Sequence, residues 1–300
     1  MYKQRTIKKE FSIRGIGIHS GLSSEVIFKP APANTGIIFI KNRDNRVFIP
    51  SCVRNVVDTT NQVTIGVENK RIQTVEHIVS ALYGQNISNC IIEVFNREVP
   101  IMDGSAYPFV EVIKEAGTVE QCDHNEPIKI PHPIWITEGD KYLVILPSQK
   151  REFNFHISFD HPGLKNQSYY LENLEPDLYE REISKARTFG FFKDWASLKK
   201  RGLGRGGSLD NAIVYDDKGV MNDELRYENE PVRHKILDLI GDLSLLNKPI
   251  IGRVVASKSG HTMDICLVRK IKQLIVENRF TKKDIQENYK KFEKEVGYLL

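Results

Sequence analysis

Three segments carry side chains able to hold a metal ion and move protons. In Glu230-Pro231-Val232-Arg233-His234-Lys235-Ile236-Leu237-Asp238-Leu239-Ile240-Gly241-Asp242-Leu243, the residues His234, Asp238 and Asp242 recur every fourth position. On a helix they stand one above another, so the first two could hold a metal while the third orients a neighbouring side chain. The spacing alone carries little weight. Eight histidines and 39 acids in 300 residues give about one His-x-x-x-acid match by chance, and a solvated polar stripe accounts for it too. In Thr74-Val75-Glu76-His77-Ile78-Val79-Ser80-Ala81, Glu76 and His77 lie off the apolar stripe, about 100° apart around a helix axis. If His77 binds a metal, Glu76 could reach a water on that metal; a solvated helix face is the simpler alternative.

Zinc held by two imidazoles and one carboxylate keeps a fourth position for water and lowers its pKa to about 7. A nearby base must then take the proton as the water attacks a carbonyl. His77, His234 and Asp238 supply that ligand set, and Glu76 the base. A departing amine must also be protonated. Lys258-Ser259-Gly260-His261 offers His261, whose charged form Asp242 could stabilise, although a surface-loop histidine reads the same way. Two other readings of the set remain open. Two histidines and one carboxylate also form the facial triad of non-haem Fe(II) oxygenases, but Glu76 and His261 have no evident role in that chemistry. A carbohydrate- or lipid-binding module with structural zinc is disfavoured, since such sites close with four protein ligands.

These residues need elements to position them. Val75, Ile78, Val79 and Leu82 predict a helix over 74–84, opened by the Thr74 hydroxyl and ended by Gly84. Ile236, Leu239, Ile240 and Leu243, with Pro231 in the first turn, predict a second amphipathic helix. Phe11 and Ile13 alternate with polar neighbours, and Ile16 and Ile18 resume out of phase, so a strand with a bulge at Gly15 is expected. Further strands fit 24–28, 90–95, 142–146 and 153–159, with a turn at Asp103-Gly104-Ser105, a helix over 108–116 and helical material from about Tyr179. The polar stretch Cys122-Asp123-His124-Asn125-Glu126, before Pro127, Pro131 and Pro133, predicts a linker, giving domains of residues 1–124 and 125–300. Both halves run sheet first and helices later. The expected fold class is therefore α+β, two similar domains each with a β-sheet layered against helices and the active site at their interface, not a doubly wound parallel sheet.

The glycine-dense segment 201–208 could pass for a phosphate loop, but it lacks a G-K-[ST] ending, and an ordinary flexible loop is the plainer reading. The Lys-rich stretch 270–294 reads as a helix with one solvated face. No internal repeat is visible. A composition of 40% hydrophobic and 27% charged residues is that of a globular protein, and a net charge of +4 is too small for a surface that binds nucleic acid by counterion release. A local basic pocket for a phosphorylated ligand is compatible with it. No run approaches a membrane span, and the polar start Met1-Tyr2-Lys3-Gln4-Arg5 is unlike a signal peptide, so a cytoplasmic location is expected. The four cysteines are far apart, form no C-x-x-C pair, and read as buried reduced thiols.

Taken in order along the chain, the motifs carry a resemblance. Gly15-Ile16-Gly17-Ile18-His19-Ser20-Gly21 is followed by Pro30-Ala31-Pro32-Ala33-Asn34-Thr35-Gly36, Thr74-Val75-Glu76-His77 and Pro100-Ile101-Met102-Asp103-Gly104-Ser105-Ala106. Then come Ala186-Arg187-Thr188-Phe189-Gly190-Phe191, Gly207-Ser208-Leu209-Asp210-Asn211-Ala212, Val232-Arg233-His234-Lys235, Asp238, Gly241-Asp242-Leu243 and Lys258-Ser259-Gly260-His261. Over nearly its whole length the sequence resembles the UDP-3-O-acyl-N-acetylglucosamine deacetylases, zinc amidases that act early in lipid A synthesis in Gram-negative bacteria. The resemblance implies that His77, His234 and Asp238 are zinc ligands, with Fe(II) as the alternative metal. It makes Glu76 the general base and His261 the general acid, with Asp242 its partner. Lys235 and Thr188 match residues beside the scissile amide and the oxyanion. Lys141, Phe159 and Lys258 match positions that hold the uridine diphosphate, and Phe189 and Phe191 match positions near the glucosamine and acyl chain. The implied partner is thus an acylated UDP-sugar, and the implied product acetate. Two local departures stand out: the familiar Gly-His-x-x-Asn reads Gly260-His261-Thr262-Met263-Asp264, and Thr59-Thr60-Asn61-Gln62-Val63 differs from the usual cleft pattern.

Overall fold

The computed structural model describes residues 2–41, 46–222, 224–277 and 282–296. Strands β1 (Tyr2–Ile7), β2 (Phe11–Ile16), β3 (Ser23–Pro30), β4 (Ile37–Lys41) and β5 (Val47–Pro50) open the first half. A small sheet of β6 (Val56–Asp58), β7 (Thr64–Val67) and β8 (Lys70–Ile72) follows. Helix α1 (Glu76–Gly84), strand β9 (Cys90–Val94), helix α2 (Tyr107–Ala116) and strand β10 (Thr118–Asn125) complete the half. The main sheet has the order β2-β3-β9-β4-β5, antiparallel except for the parallel pair β9/β4. Phe28, Phe39, Ile49 and Ile92 alternate inward from it into the core beneath α1 and α2.

The second half repeats this arrangement. It contains β11 (Ile128–Lys129), β12 (Ile134–Glu138), β13 (Lys141–Leu146), β14 (Arg151–Ser158), β15 (Asn166–Leu171) and helix α3 (Pro176–Glu182). Next come β16 (Phe189–Phe191), helix α4 (Trp195–Lys200), β17 (Ile213–Asp216) and β18 (Gly219–Val220), the three strands again forming a small sheet. Helix α5 (Glu230–Ser244), strand β19 (Ile250–Ser257) and helices α6 (His261–Val276) and α7 (Lys282–Glu295) follow. The main sheet runs β12-β13-β19-β14-β15, with the parallel pair β19/β14 in the same place as in the first half, and short β11 adds a second parallel pairing to β19. The α+β class and the similarity of the halves are as expected. The repeat itself was invisible in the sequence, because it is one of topology and spacing, not of residue identity. The last strand of each sheet also enters its centre after a helix, so the order is not simply strands and then helices.

Several local expectations need correction. The β2/β3 register runs unbroken through the pair Gly15↔Ser24, so no bulge exists; β2 simply ends at Ile16, and Ile18 belongs to the following turn. The supposed linker is, through Asn125, the end of β10, paired with β1; it is polar because this two-stranded ribbon is largely exposed. Only Cys90 among the cysteines is buried, and Cys122 on that ribbon is exposed. The Lys-rich stretch is two helices. Phe292 of α7 stacks edge-on against Trp135 at 5.5 Å and, with Val296, covers the outer face of the second sheet.

The two halves share one continuous core, and α1 crosses α5 inside it. Gly241 makes that crossing close: a Cβ there would lie 2.4 Å from the Glu76 carbonyl oxygen. Ser80 Oγ adds a hydrogen bond to the Leu237 carbonyl at 2.8 Å. Gly241→Ala should therefore destabilise the fold by about 1–3 kcal/mol, the usual cost of forcing volume into a packed contact. Thermal denaturation checks this; an unchanged midpoint would show that the helices are free to part.

Candidate functional site

Helix α1 is buried on all sides, which excludes a solvated face for Glu76 and His77; they are 3% and 4% exposed. The Thr74 hydroxyl does not cap the helix. Thr74 has φ 58°, an uncommon conformation for a β-branched residue, and its Oγ1 is drawn instead to Gln62 Oε1 (2.7 Å) and Glu98 Oε1 (3.0 Å). Across the crossing, α5 presents His234 and Asp238, also buried. His234 Nε2 lies 3.3 Å and His77 Nε2 3.8 Å from Asp238 Oδ1, and the two imidazole rings meet edge to face. The three potential ligand atoms lie within 4.8 Å of one another.

Electrostatics suit these groups to a cation. Burial and the neighbouring His234 push His77 down to about 3, and burial lowers His234 too, so both imidazoles are neutral at physiological pH. His234 Nδ1 donates to the Ala186 carbonyl at 2.9 Å, leaving Nε2 as the lone-pair nitrogen towards Asp238. Burial alone would raise Asp238, but the charges of Lys235 and His261 oppose it and hold the carboxylate ionised below the usual range. Lys235 Nζ donates to Asp238 Oδ2 at 2.8 Å. Two neutral imidazole nitrogens and one carboxylate make a donor set that fits Zn²⁺ or Fe²⁺.

Two titratable groups border this cluster. Glu76 Oε2 accepts the Val63 N–H at 3.0 Å, and Oε1 faces His261 Nε2 at 4.0 Å. Burial lifts Glu76 to about 7, with the His261 charge pulling the other way. His261, the first residue of α6, donates Nδ1–H to Asp242 Oδ2 at 2.8 Å. Burial would lower this imidazole, but Asp242 outweighs it and raises His261 to about 10. The pair is thus a carboxyl poised to accept a proton and an imidazolium poised to give one, 4.0 Å apart. These groups open into a cavity of about 630 Å³.

A family model for UDP-3-O-acyl N-acetylglycosamine deacetylase matches residues 4–273. The chain belongs to this deacetylase family. Proteins named UDP-3-O-acyl-N-acetylglucosamine deacetylase resemble it closely. That of Leptospira biflexa serovar Patoc is 46% identical over 280 residues, 93% of this chain and 92% of the other. That of Syntrophus aciditrophicus is 45% identical over 273 residues, 90% and 86% of the two chains. That of Wolinella succinogenes is 44% identical over 270 residues, 90% of each.

Of the deacetylase residues expected from sequence, Glu76, His77, Thr188, Lys235, His234, Asp238, His261, Phe159, Phe189 and Phe191 all line this cavity. Phe159 packs against Phe189 and Phe191 at 5.7 and 5.4 Å. Asp242 lies behind His261, fully buried. Lys141 and Lys258 are not brought into the lining: Lys258 pairs with Asp140 at 2.6 Å, and Lys141 lies 4.0 Å from Glu138. The glycine-dense segment is held against the first half, the Gly206 N–H donating to the Ile18 carbonyl.

Other supporting residues escaped the sequence reading. Glu98 grips the turn at 17–21, accepting the His19 and Ser20 N–H groups at 2.8 and 2.7 Å; a Cβ at Gly17 would lie 2.1 Å from its carboxylate. This places His19, itself lowered by burial, on the cavity wall. Glu230, at the start of α5, pairs with buried Arg187 at 2.9 Å and so fixes the segment that carries the Ala186 carbonyl and Thr188. Asp264 stands with Asp242 and His261, its ligand oxygen within 4.8 Å of theirs, and burial raises it to about 7. Glu98 stands outside the quoted motifs, whereas His19, Arg187, Glu230 and Asp264 stand inside quoted stretches whose pattern assigned them no role.

Proposed function

We propose that this deacetylase hydrolyses the N-acetyl group of UDP-3-O-(3-hydroxyacyl)-N-acetylglucosamine with a bound Zn²⁺, releasing acetate in the lipid A pathway of the cytoplasm. The observation that carries this reading is the pairing, beside the two-histidine, one-aspartate set, of a carboxyl raised to about 7 with an imidazolium raised to about 10. The halves, which we delimit as residues 1–124 and 125–300, each supply part of it: His77 and Glu76 from one, His234, Asp238 and His261 from the other.

His77, His234 and Asp238 would hold the metal, which when bound acidifies water and polarises the acetyl carbonyl. Glu76 takes the proton of the attacking water. The Thr188 hydroxyl and the Lys235 ammonium, both on the cavity wall, would stabilise the oxyanion that develops on the acetyl oxygen. His261 Nε2–H then protonates the glucosamine nitrogen, with Asp242 fixing its tautomer and charge. Phe159, Phe189 and Phe191 offer an apolar surface to the nucleotide, sugar and acyl chain, and Lys141 and Lys258 would have to leave their carboxylate contacts to meet the diphosphate.

The test is an oxygen-free incubation of the purified protein with the acylated UDP-sugar. Acetate and free amine should appear in equal amounts; a reaction that requires O₂ would instead favour the Fe(II) oxygenase reading. A second expectation concerns pH. The active form needs Glu76 ionised and His261 protonated, so kcat/KM should be bell-shaped. Asp242→Asn removes the negative charge that raises His261, so the alkaline limb should move down while the acid limb stays nearly fixed. If that limb does not move in a variant of intact fold and metal content, His261 is not the donor, and Lys235 becomes the better candidate.

A further inference from the structure

The surplus charge of this chain is concentrated in one place. Between the 3-10 turn Phe192–Asp194 and residue 205 stand Lys193, Lys199, Lys200, Arg201 and Arg205, all exposed, against a single acid, Asp194. That local excess equals the +4 of the whole protein. None of the five cations has a carboxylate partner among the described residues. Interleaved with them are large apolar side chains left in solvent. Phe192 is 50% and Trp195 43% exposed, their rings stacked at 5.9 Å. Leu209 and Met221 are exposed beside them on the rim of the same cavity. Lys199 lies 3.7 Å over the Trp195 ring and Lys193 5.7 Å over Phe191.

Aromatic rings flanked by unpaired lysines match the boundary of a bilayer, where the ring enters the headgroup layer and the ammonium meets lipid phosphate. A protein partner would need acidic groups matched one by one to five separate cations, whereas an anionic leaflet is a continuous field that asks for no such register. We infer that the turn at 192–194 and helix α4 form a docking surface for an anionic lipid bilayer, which sets the mouth of the catalytic cavity against the membrane. Docking is peripheral; no described helix is long and apolar enough to cross a membrane. Its consequence is that an acyl chain moving between cavity and bilayer need not pass through water.

The experiment measures binding of the full-length protein, without substrate, to vesicles of phosphatidylcholine alone or with about 30 mol% phosphatidylglycerol. Binding to the anionic vesicles should be at least about tenfold tighter and should fall as salt is raised. Trp195 emission should shift to the blue, and Trp195→Phe should remove the shift, because the only other tryptophan, Trp135, is buried. The triple variant Lys193→Glu, Lys199→Glu, Lys200→Glu should lose about tenfold or more in anionic-vesicle binding. None of these three lysines lines the cavity, so its melting temperature and its turnover of a soluble short-chain substrate should match the parent. Equal binding to neutral vesicles, no binding to either, or undiminished binding by the folded triple variant would overturn the inference. So would sedimentation showing the parent as a dimer that this variant breaks, since the rim would then be an interface between copies of the chain.

Discussion

Replacing Glu76 by Ala should lower kcat at least about 100-fold while the protein still binds about one metal ion per chain. Glu76 is not among the three clustered ligand atoms. Its carboxylate instead joins the Val63 N–H to the side of the cavity that faces His261. Removing it therefore takes away the proton acceptor and leaves the donor set of His77, His234 and Asp238 in place. Glu76→Gln separates chemistry from architecture: the amide oxygen can still accept the Val63 N–H, but no proton can be taken at pH 7. Both variants should be similarly slow. Activity kept by either, measured as acetate release at saturating substrate, would remove Glu76 from the mechanism.

The opposite phenotype is expected one turn away. His234→Ala and Asp238→Ala should each weaken metal binding by at least about 100-fold, since each would remove one of the three proposed protein bonds to the ion. Asp238→Ala also leaves partly buried Lys235 without its 2.8 Å partner, so Asp238→Asn is the control that keeps a polar group against that ammonium. Competition with a chelator of known affinity reads the constant, and thermal denaturation shows that the fold survives. Unchanged affinity in both His234 and Asp238 variants would move the metal elsewhere, with Asp242, His261 and Asp264 the next cluster to consider.

Much of this site was legible in the sequence because its geometry is local. Four-residue spacing stacks His234 above Asp238 on any helix, and the adjacency of Glu76 and His77 fixes their angle, so these candidates could be placed once α1 and α5 were recognised from their apolar stripes, while their roles came from the family resemblance. What stayed hidden depends on contacts distant in sequence. The burial of Glu76 and His77 arises where α1 meets α5 across Gly241, 165 positions after Glu76 in the chain. The positive φ of Thr74 follows from Glu98 and Gln62, which no capping rule anticipates. The similarity of the halves was legible from their shared order of sheet and helices, but not the strand order within each sheet, because each half keeps its alternation of buried and exposed positions while changing the residues that occupy them. Lys141 and Lys258 show the converse: the resemblance assigns them to the diphosphate, yet their ammonium groups turn to Glu138 and Asp140.

The arrangement as a whole rests on where the metal sits. Diffraction from zinc-loaded crystals, collected on either side of the zinc absorption edge, locates the ion directly. The account predicts one strong anomalous peak, about 2.0–2.2 Å from His77 Nε2, His234 Nε2 and an Asp238 oxygen, with Glu76 and His261 outside bonding distance. A peak instead among Asp242, His261 and Asp264, or zinc bonded to Glu76 in place of Asp238, would contradict it.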